Sequence, residues 1–107
     1  MAAEASAEID VAELASRLRS GEVQIVDVRD DDEWAEGRIS DSLHLTLNEL
    51  TAVADSIDRD VPVVFVCAVG NRSAMAADAF RTAGFDAFSL AGGLTAWAEG
   101  GHELETG

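Results

Sequence analysis

The chain reads as an α/β domain built on a parallel sheet, and three observations lead there. Val63 to Val66 is a run of strand-favouring residues with no polar alternation, the pattern of a parallel strand covered on both faces. The run stops at Cys67, turns through Gly70 and Asn71, and continues into Ser73 to Ala83, where Ala76, Ala79, Phe80 and Ala83 keep helical spacing. Elsewhere strands alternate with helices across short connections, which argues for parallel pairing with helical crossovers. At 107 residues there is room for one core, so a single domain spanning 1–107 is expected, with its core at about 8–100 and frayed ends.

After a ragged start, Asp10 with Glu13 makes an aspartate version of a capping box, and Val11, Leu14, Ala15 and Leu18 then follow one helical face. Gly21 ends that helix. Val23 to Val28 is the next strand; it runs into Arg29 and the acidic cluster Asp30 to Glu33, which caps a short helix through Trp34 and Glu36 that Gly37 stops. Leu43, His44 and Leu45 form a short strand. Thr46 with Glu49 repeats the capping signature, and Leu47, Leu50, Ala54 and Ile57 predict a helix with an apolar stripe. Pro62 opens the central strand, where its missing N–H is tolerated. Gly84 ends the following helix, Ala87 to Leu90 is the last strand, and Gly92 and Gly93 turn the chain into a closing helix with Leu94 and Trp97.

Composition narrows the function. The net charge is −14, and all 7 basic residues are arginine. That field repels nucleic-acid phosphates and anionic lipid heads, so neither nucleic acid nor a membrane is expected as a partner. The first residues lack the basic start and apolar run of a signal peptide, and no apolar segment approaches membrane-spanning length. A cytoplasmic location is expected. A lone cysteine makes no internal disulfide and leaves its thiol available for chemistry. His44 and His102 with one distant cysteine give no metal-ligand spacing, and no metal is expected.

Several blocks occur in a definite order: Ile25-Val26-Asp27-Val28-Arg29 followed by Glu33-Trp34, then Gly37-Arg38-Ile39, Cys67 with Gly70-Asn71-Arg72-Ser73, Ala83-Gly84-Phe85, and Gly92-Gly93 before Ala96-Trp97. Together they resemble the single-domain rhodanese (thiosulfate sulfurtransferase-like) family, over nearly the whole chain. The resemblance implies a five-stranded, mainly parallel sheet flanked by helices on both faces. It also implies sulfur transfer from thiosulfate or a persulfide to a thiol or cyanide, through a persulfide on Cys67. No cofactor is implied. The partners implied are a small sulfur donor and a thiol acceptor, a sulfur-carrier protein among the candidates, with the chain acting as a monomer. Two departures stand out. Relatives usually read His-Ile-Pro-Gly-Ala where this chain has Arg38-Ile39-Ser40-Asp41-Ser42, so the turn into the short third strand must be built differently. Many active relatives carry a basic residue directly after the cysteine, where this chain has Ala68, which bears on the preferred donor.

The chemistry needs an ionised thiol. At the carboxyl end of a parallel strand, facing a helix N-terminus, Cys67 lies where anions are favoured. N–H groups from Ala68, Val69, Gly70, Asn71 and Arg72, with the start of the helix at Ser73, are expected to ring the sulfur and lower its pKa. The plain alternative is a buried, inert cysteine. Arg72, the loop's only cation, is a candidate either for a donor's anionic end or for bracing the loop. Arg29 and Glu33, spaced for an ion pair, and Asp27 at its strand end are expected as framework behind the catalytic edge. Trp34 and Trp97 are expected in the core, with Trp97 as a wall near the thiol the sharper alternative. A cysteine phosphatase is the competing enzyme, but its loop is one residue longer than the Ala68-Val69-Gly70-Asn71 spacer here. A non-catalytic binding or regulatory module is the third reading; Cys67, Gly70 and Arg72 argue against it.

Overall fold

In the computed structural model the described residues are 8–50, 52 and 54–106. The ragged start expected before residue 8 lies outside them. The strands are β1 (Glu8–Ile9), β2 (Gln24–Asp27), β3 (Leu43–His44), β4 (Val63–Val66) and β5 (Ala87–Leu90), and they form one sheet in the order β1-β5-β4-β2-β3. Every pairing is parallel, with Gln24 opposite Val63, Val63 opposite Ala87, Asp27 opposite His44 and Glu8 opposite Ser89. The all-apolar strand β4 is therefore central, as its composition requires, and all four of its residues are buried.

The period-2 alternation of strand side chains divides the core. Val63, Phe65 and Cys67 face one cluster with Val26, Ala87 and the inner face of α3 (Asn71–Thr82), namely Ala76, Ala77 and Phe80. Val64, Val66, Ile25 and Leu90 face the other, closed by Leu14 of α1 (Val11–Ser20) and by Leu94 and Trp97 of α4 (Gly93–Glu99). Each large side chain so buried contributes roughly 1.5–3 kcal/mol, so the sheet is clamped from both sides. The remaining helix, α2 (Asp31–Glu36), follows β2 in the chain and buries no residue.

Caps follow the sequence with one change. Asp10 accepts the Glu13 N–H at 2.8 Å, but the Glu13 carboxylate pairs with Arg17 at 2.9 Å instead of reaching back to close a box. Gly21 ends α1 at φ 77°, a left-handed geometry that costs glycine nothing.

Four expectations are corrected. Strand β1 was not anticipated; two residues carry no periodicity to read, and its pairing with β5 completes the five-stranded sheet. Between Thr46 and Ile57 the chain makes two 3₁₀ turns, Leu47–Glu49 and Ala54–Ser56, where a helix was expected; Thr51 and Val53 of that stretch lie outside the described residues. The tail is tied down through Glu105. Arg38 and Glu105 exchange backbone hydrogen bonds of 2.9 and 2.7 Å, Leu104 packs on the core, and the Trp97 indole donates to the Glu103 carbonyl at 3.3 Å. Trp34 is only half-buried, stacked 4.6 Å from His44 beneath the Arg38 guanidinium. The unusual turn into β3 places Asp41 at φ 66°, with the Ser42 N–H and hydroxyl both donating to the Ile39 carbonyl, at 3.2 and 2.7 Å.

Candidate active site

Cys67 follows the last residue of β4 and is 1 % exposed. The chain leaves the strand, exposes Val69 at its tip, and curls back through Gly70 at φ 112° into the first turn of α3. A side chain at that φ would be strained, so glycine is required for the curl. The curl turns two backbone donors onto the sulfur: the Gly70 N–H lies 3.1 Å and the Ser73 N–H 3.3 Å from Sγ. The Ser73 hydroxyl is 3.4 Å from Sγ, donates to the Gly70 carbonyl at 3.2 Å, and sits 2.7 Å from the hydroxyl of Ser89 on β5. Burial pushes the Cys67 thiol up, but the Ser73 hydroxyl and the N–H groups of Ser73, Gly70 and Arg72 outweigh it, so the pKa is held below its ordinary value. The N-terminus of α3 faces the same atom and favours the anion further.

A second element holds the loop from outside. The N–H groups of Leu94 and Thr95, in the first turn of α4, donate to the carbonyls of Cys67 and Ala68 at 2.9 and 3.1 Å. With these carbonyls held by α4, the Gly70 and Ser73 N–H groups bond the sulfur, whereas those of Ala68, Val69 and Asn71, expected in the ring, do not. Gly93, at φ 60°, makes the approach possible: a Cβ there would lie 2.4 Å from the Cys67 carbonyl oxygen and 2.5 Å from that of Ala68.

The charged residues pair differently from their spacing in sequence. Arg29 does not bind Glu33. It donates from Nε and Nη2 to the fully buried Asp27 carboxylate, at 2.8–3.1 Å, and from Nη2 to the Gly37 carbonyl at 2.6 Å. Asp27 also accepts the Arg29 N–H at 3.0 Å, and His44 bonds the Arg29 carbonyl at 2.8 Å. The pair thus braces the end of β2, the end of α2 and β3 as framework. Glu33 instead meets Arg72 in a two-pronged pair, Nη1 to Oε1 at 2.9 Å and Nη2 to Oε2 at 3.0 Å. That contact with Arg72, aided by the Asp30 N–H, lowers the Glu33 pKa to about 2, despite opposition from burial. Trp97 lies in the cluster on the opposite face of the sheet from Cys67 and forms no wall beside the thiol.

Comparison with known proteins identifies the family and the fold. Residues 10–100 match the family model of the rhodanese-like domain. The chain belongs to the rhodanese-like family. It is 41% identical over 86 residues to the thiosulfate sulfurtransferase GlpE of Pseudomonas paraeruginosa, covering 79% of this chain and 78% of that one. Among solved structures, a rhodanese-related protein from Thermoplasma volcanium superposes with a TM-score of 0.87 at 28% identity, covering 94% of this chain and 98% of the other. A rhodanese-like domain protein from Staphylococcus aureus gives 0.83 at 34% identity, over 94% and 97%.

Of the residues singled out in the sequence of this rhodanese-like domain, Cys67, Gly70, Arg72 and Ser73 come together around the sulfur. Ala68 offers its carbonyl to α4, Val69 forms the exposed tip and Asn71 opens α3 at the surface. Asp27 and Arg29 stand behind as framework. Sequence reasoning missed Ser89, Gly93 and the Glu33–Arg72 pair. A serine between Phe88 and Leu90 in a buried strand was the one visible signal for the first.

Proposed function

We propose that this chain is a rhodanese-type sulfurtransferase with Cys67 as its sulfur carrier. The Cys67 thiolate attacks the outer sulfur of a donor. A new Sγ–S bond forms, the donor's S–S bond breaks, and the leaving group departs with the electron pair, as sulfite when the donor is thiosulfate. A thiol or cyanide then attacks the outer sulfur of the persulfide and returns Cys67 to thiolate. No general base is required, because the nucleophile is already ionised. The observation that carries this reading is one buried sulfur that accepts from two backbone donors, Gly70 N–H and Ser73 N–H, with the Ser73 hydroxyl 3.4 Å away. Those groups would stabilise the resting thiolate, and the same thiolate again as it leaves when an acceptor takes the outer sulfur. The short Ala68-Val69-Gly70-Asn71 spacer suits one sulfur atom better than a phosphoryl group. A thiol that must be reduced to act fits a cytoplasmic setting, and a monomer acting on small donors and thiol acceptors completes the proposal.

The test is direct. Incubated with thiosulfate or an organic thiosulfonate, the protein should gain the mass of one sulfur atom, and cyanide should release it as thiocyanate. Cys67→Ser should fold yet do neither. Turnover in that variant at the wild-type rate, or efficient hydrolysis of an aryl phosphate by the natural loop, would overturn the proposal. Absence of sulfur uptake from any donor would leave a non-catalytic module.

A further inference from the structure

We propose that Glu33 sets the charge of the sulfur donor: by holding the Arg72 guanidinium it neutralises the loop's one cation, so the site favours donors with a single negative charge over the thiosulfate dianion. The inference deepens the sulfur-transfer reading and rests on it.

Three observations converge. Between Cys67 and Arg72 the loop carries no other charge, since Ala68, Val69, Gly70 and Asn71 are all neutral. Arg72 is committed to Glu33 through both terminal nitrogens, at 2.9 and 3.0 Å, in the planar fork that guanidinium and carboxylate form best. Glu33 is not free to yield, because the same Oε1 that meets Arg72 also accepts the Asp30 N–H at 3.0 Å as part of the cap of α2. The pair is only about two-thirds buried, its side chains being 33% and 32% exposed, so an anionic donor can reach it from solvent. There a donor's charge meets a neutral pair with Asp30, Asp31 and Asp32 exposed beside it. A second negative charge on the donor therefore finds repulsion with no free cation to offset it.

Two donors isolate the charge. Thiosulfate and methanethiosulfonate undergo the same displacement at the outer sulfur; the first releases sulfite and the second methanesulfinate, so they differ by one negative charge. Second-order rate constants should be measured for both with cyanide as acceptor, in the wild type, Glu33→Gln, Glu33→Asp and Ala68→Arg. The wild type should prefer methanethiosulfonate. Glu33→Gln should raise the thiosulfate-to-methanethiosulfonate ratio about three- to tenfold, mainly through KM, because the freed guanidinium helps the dianion more. Glu33→Asp should keep a ratio near that of the wild type. Ala68→Arg should raise the ratio without touching the Glu33–Arg72 pair, showing that the site reads donor charge, and if Glu33→Gln fails to fold the wild-type preference between the two donors decides the matter. A wild type that prefers thiosulfate, or a folded Glu33→Gln whose ratio is unmoved, would overturn the inference while leaving sulfur transfer standing. Failure of both donors to add sulfur to Cys67, read by intact mass, would remove the underlying reading and this inference with it.

Discussion

A thiolate at Cys67 reverses the hydrogen bond beneath it. The protonated thiol donates to Ser73 Oγ at 3.4 Å, whereas the anion needs a donor, and the Ser73 hydroxyl must then turn from the Gly70 carbonyl toward Sγ. Ser89, 2.7 Å away and buried, can donate in turn to Ser73 Oγ. Removing a donor to the anion raises the thiol pKa. Ser73→Ala should therefore shift the midpoint of alkylation rate against pH upward, slowing alkylation near pH 7 but not well above the midpoint. Ser89→Ala should move it the same way by less, because the Ser73 hydroxyl remains. An unmoved midpoint in Ser73→Ala would show that backbone N–H groups alone activate the thiol. This layer of the site was half legible. Cys67 and Ser73 share a strand-turn-helix stretch whose spacing displays them, but Ser89 lies on another strand, and alternation reveals the face it occupies without revealing what it meets. The partner of Glu33 was misread for a related reason: the i,i+4 spacing to Arg29 is a helical rule, while Arg29 precedes α2 and is drawn back onto the buried Asp27 carboxylate.

Among the elements, α4 contributes more than core packing. Its first turn carries the loop carbonyls of Cys67 and Ala68, and the contact is close enough that only glycine fits at position 93. Gly93→Ala should cost more than about 2 kcal/mol, since left-handed strain adds to a backbone clash that neither side can relieve. Gly21→Ala provides the comparison: its φ of 77° is similar, but nothing lies within 4 Å of the added methyl, so strain alone, about 1 kcal/mol, is expected. Urea titrations of both variants measure the difference, and equal losses would show that the approach of α4 to the loop is slack. The glycine pair was visible in sequence as turn punctuation, yet the carbonyls it approaches belong to a segment some 25 residues earlier, a distance no local pattern spans. Other elements divide in the same way. Strand β4 and helix α3 announced themselves through composition and period. The stretch from Leu47 to Ile57 misled, because apolar residues at i and i+3 satisfy a 3₁₀ turn as well as an α-helix, and β-branched Thr51 and Val53 weaken the helical alternative.

For the molecule as a whole, the dominant quantity is the net charge of −14, spread over a body of 34 × 28 × 24 Å. The Debye length at physiological ionic strength is about 8 Å, so a carboxylate farther than that from Cys67 acts on a donor only through the long-range field. Salt removes that field first and leaves short contacts largely intact. A negative protein approached by an anion should therefore react faster as ionic strength rises, and the gain should scale with the charge on the donor. Plotted as the logarithm of the second-order rate constant against the square root of ionic strength, both donors should rise, thiosulfate with about twice the slope of methanethiosulfonate. The twofold ratio follows from the product of charges and is independent of how intrinsically reactive each donor is. In Ala68→Arg the slopes should fall, because a cation beside the sulfur is itself screened as salt is added. Stopped-flow or initial-rate measurements from low salt to about 0.5 M suffice. A thiosulfate rate that declines steadily with salt in the wild type would mean that a local positive charge governs the encounter, and that the acidic surface contributes little to the choice of donor.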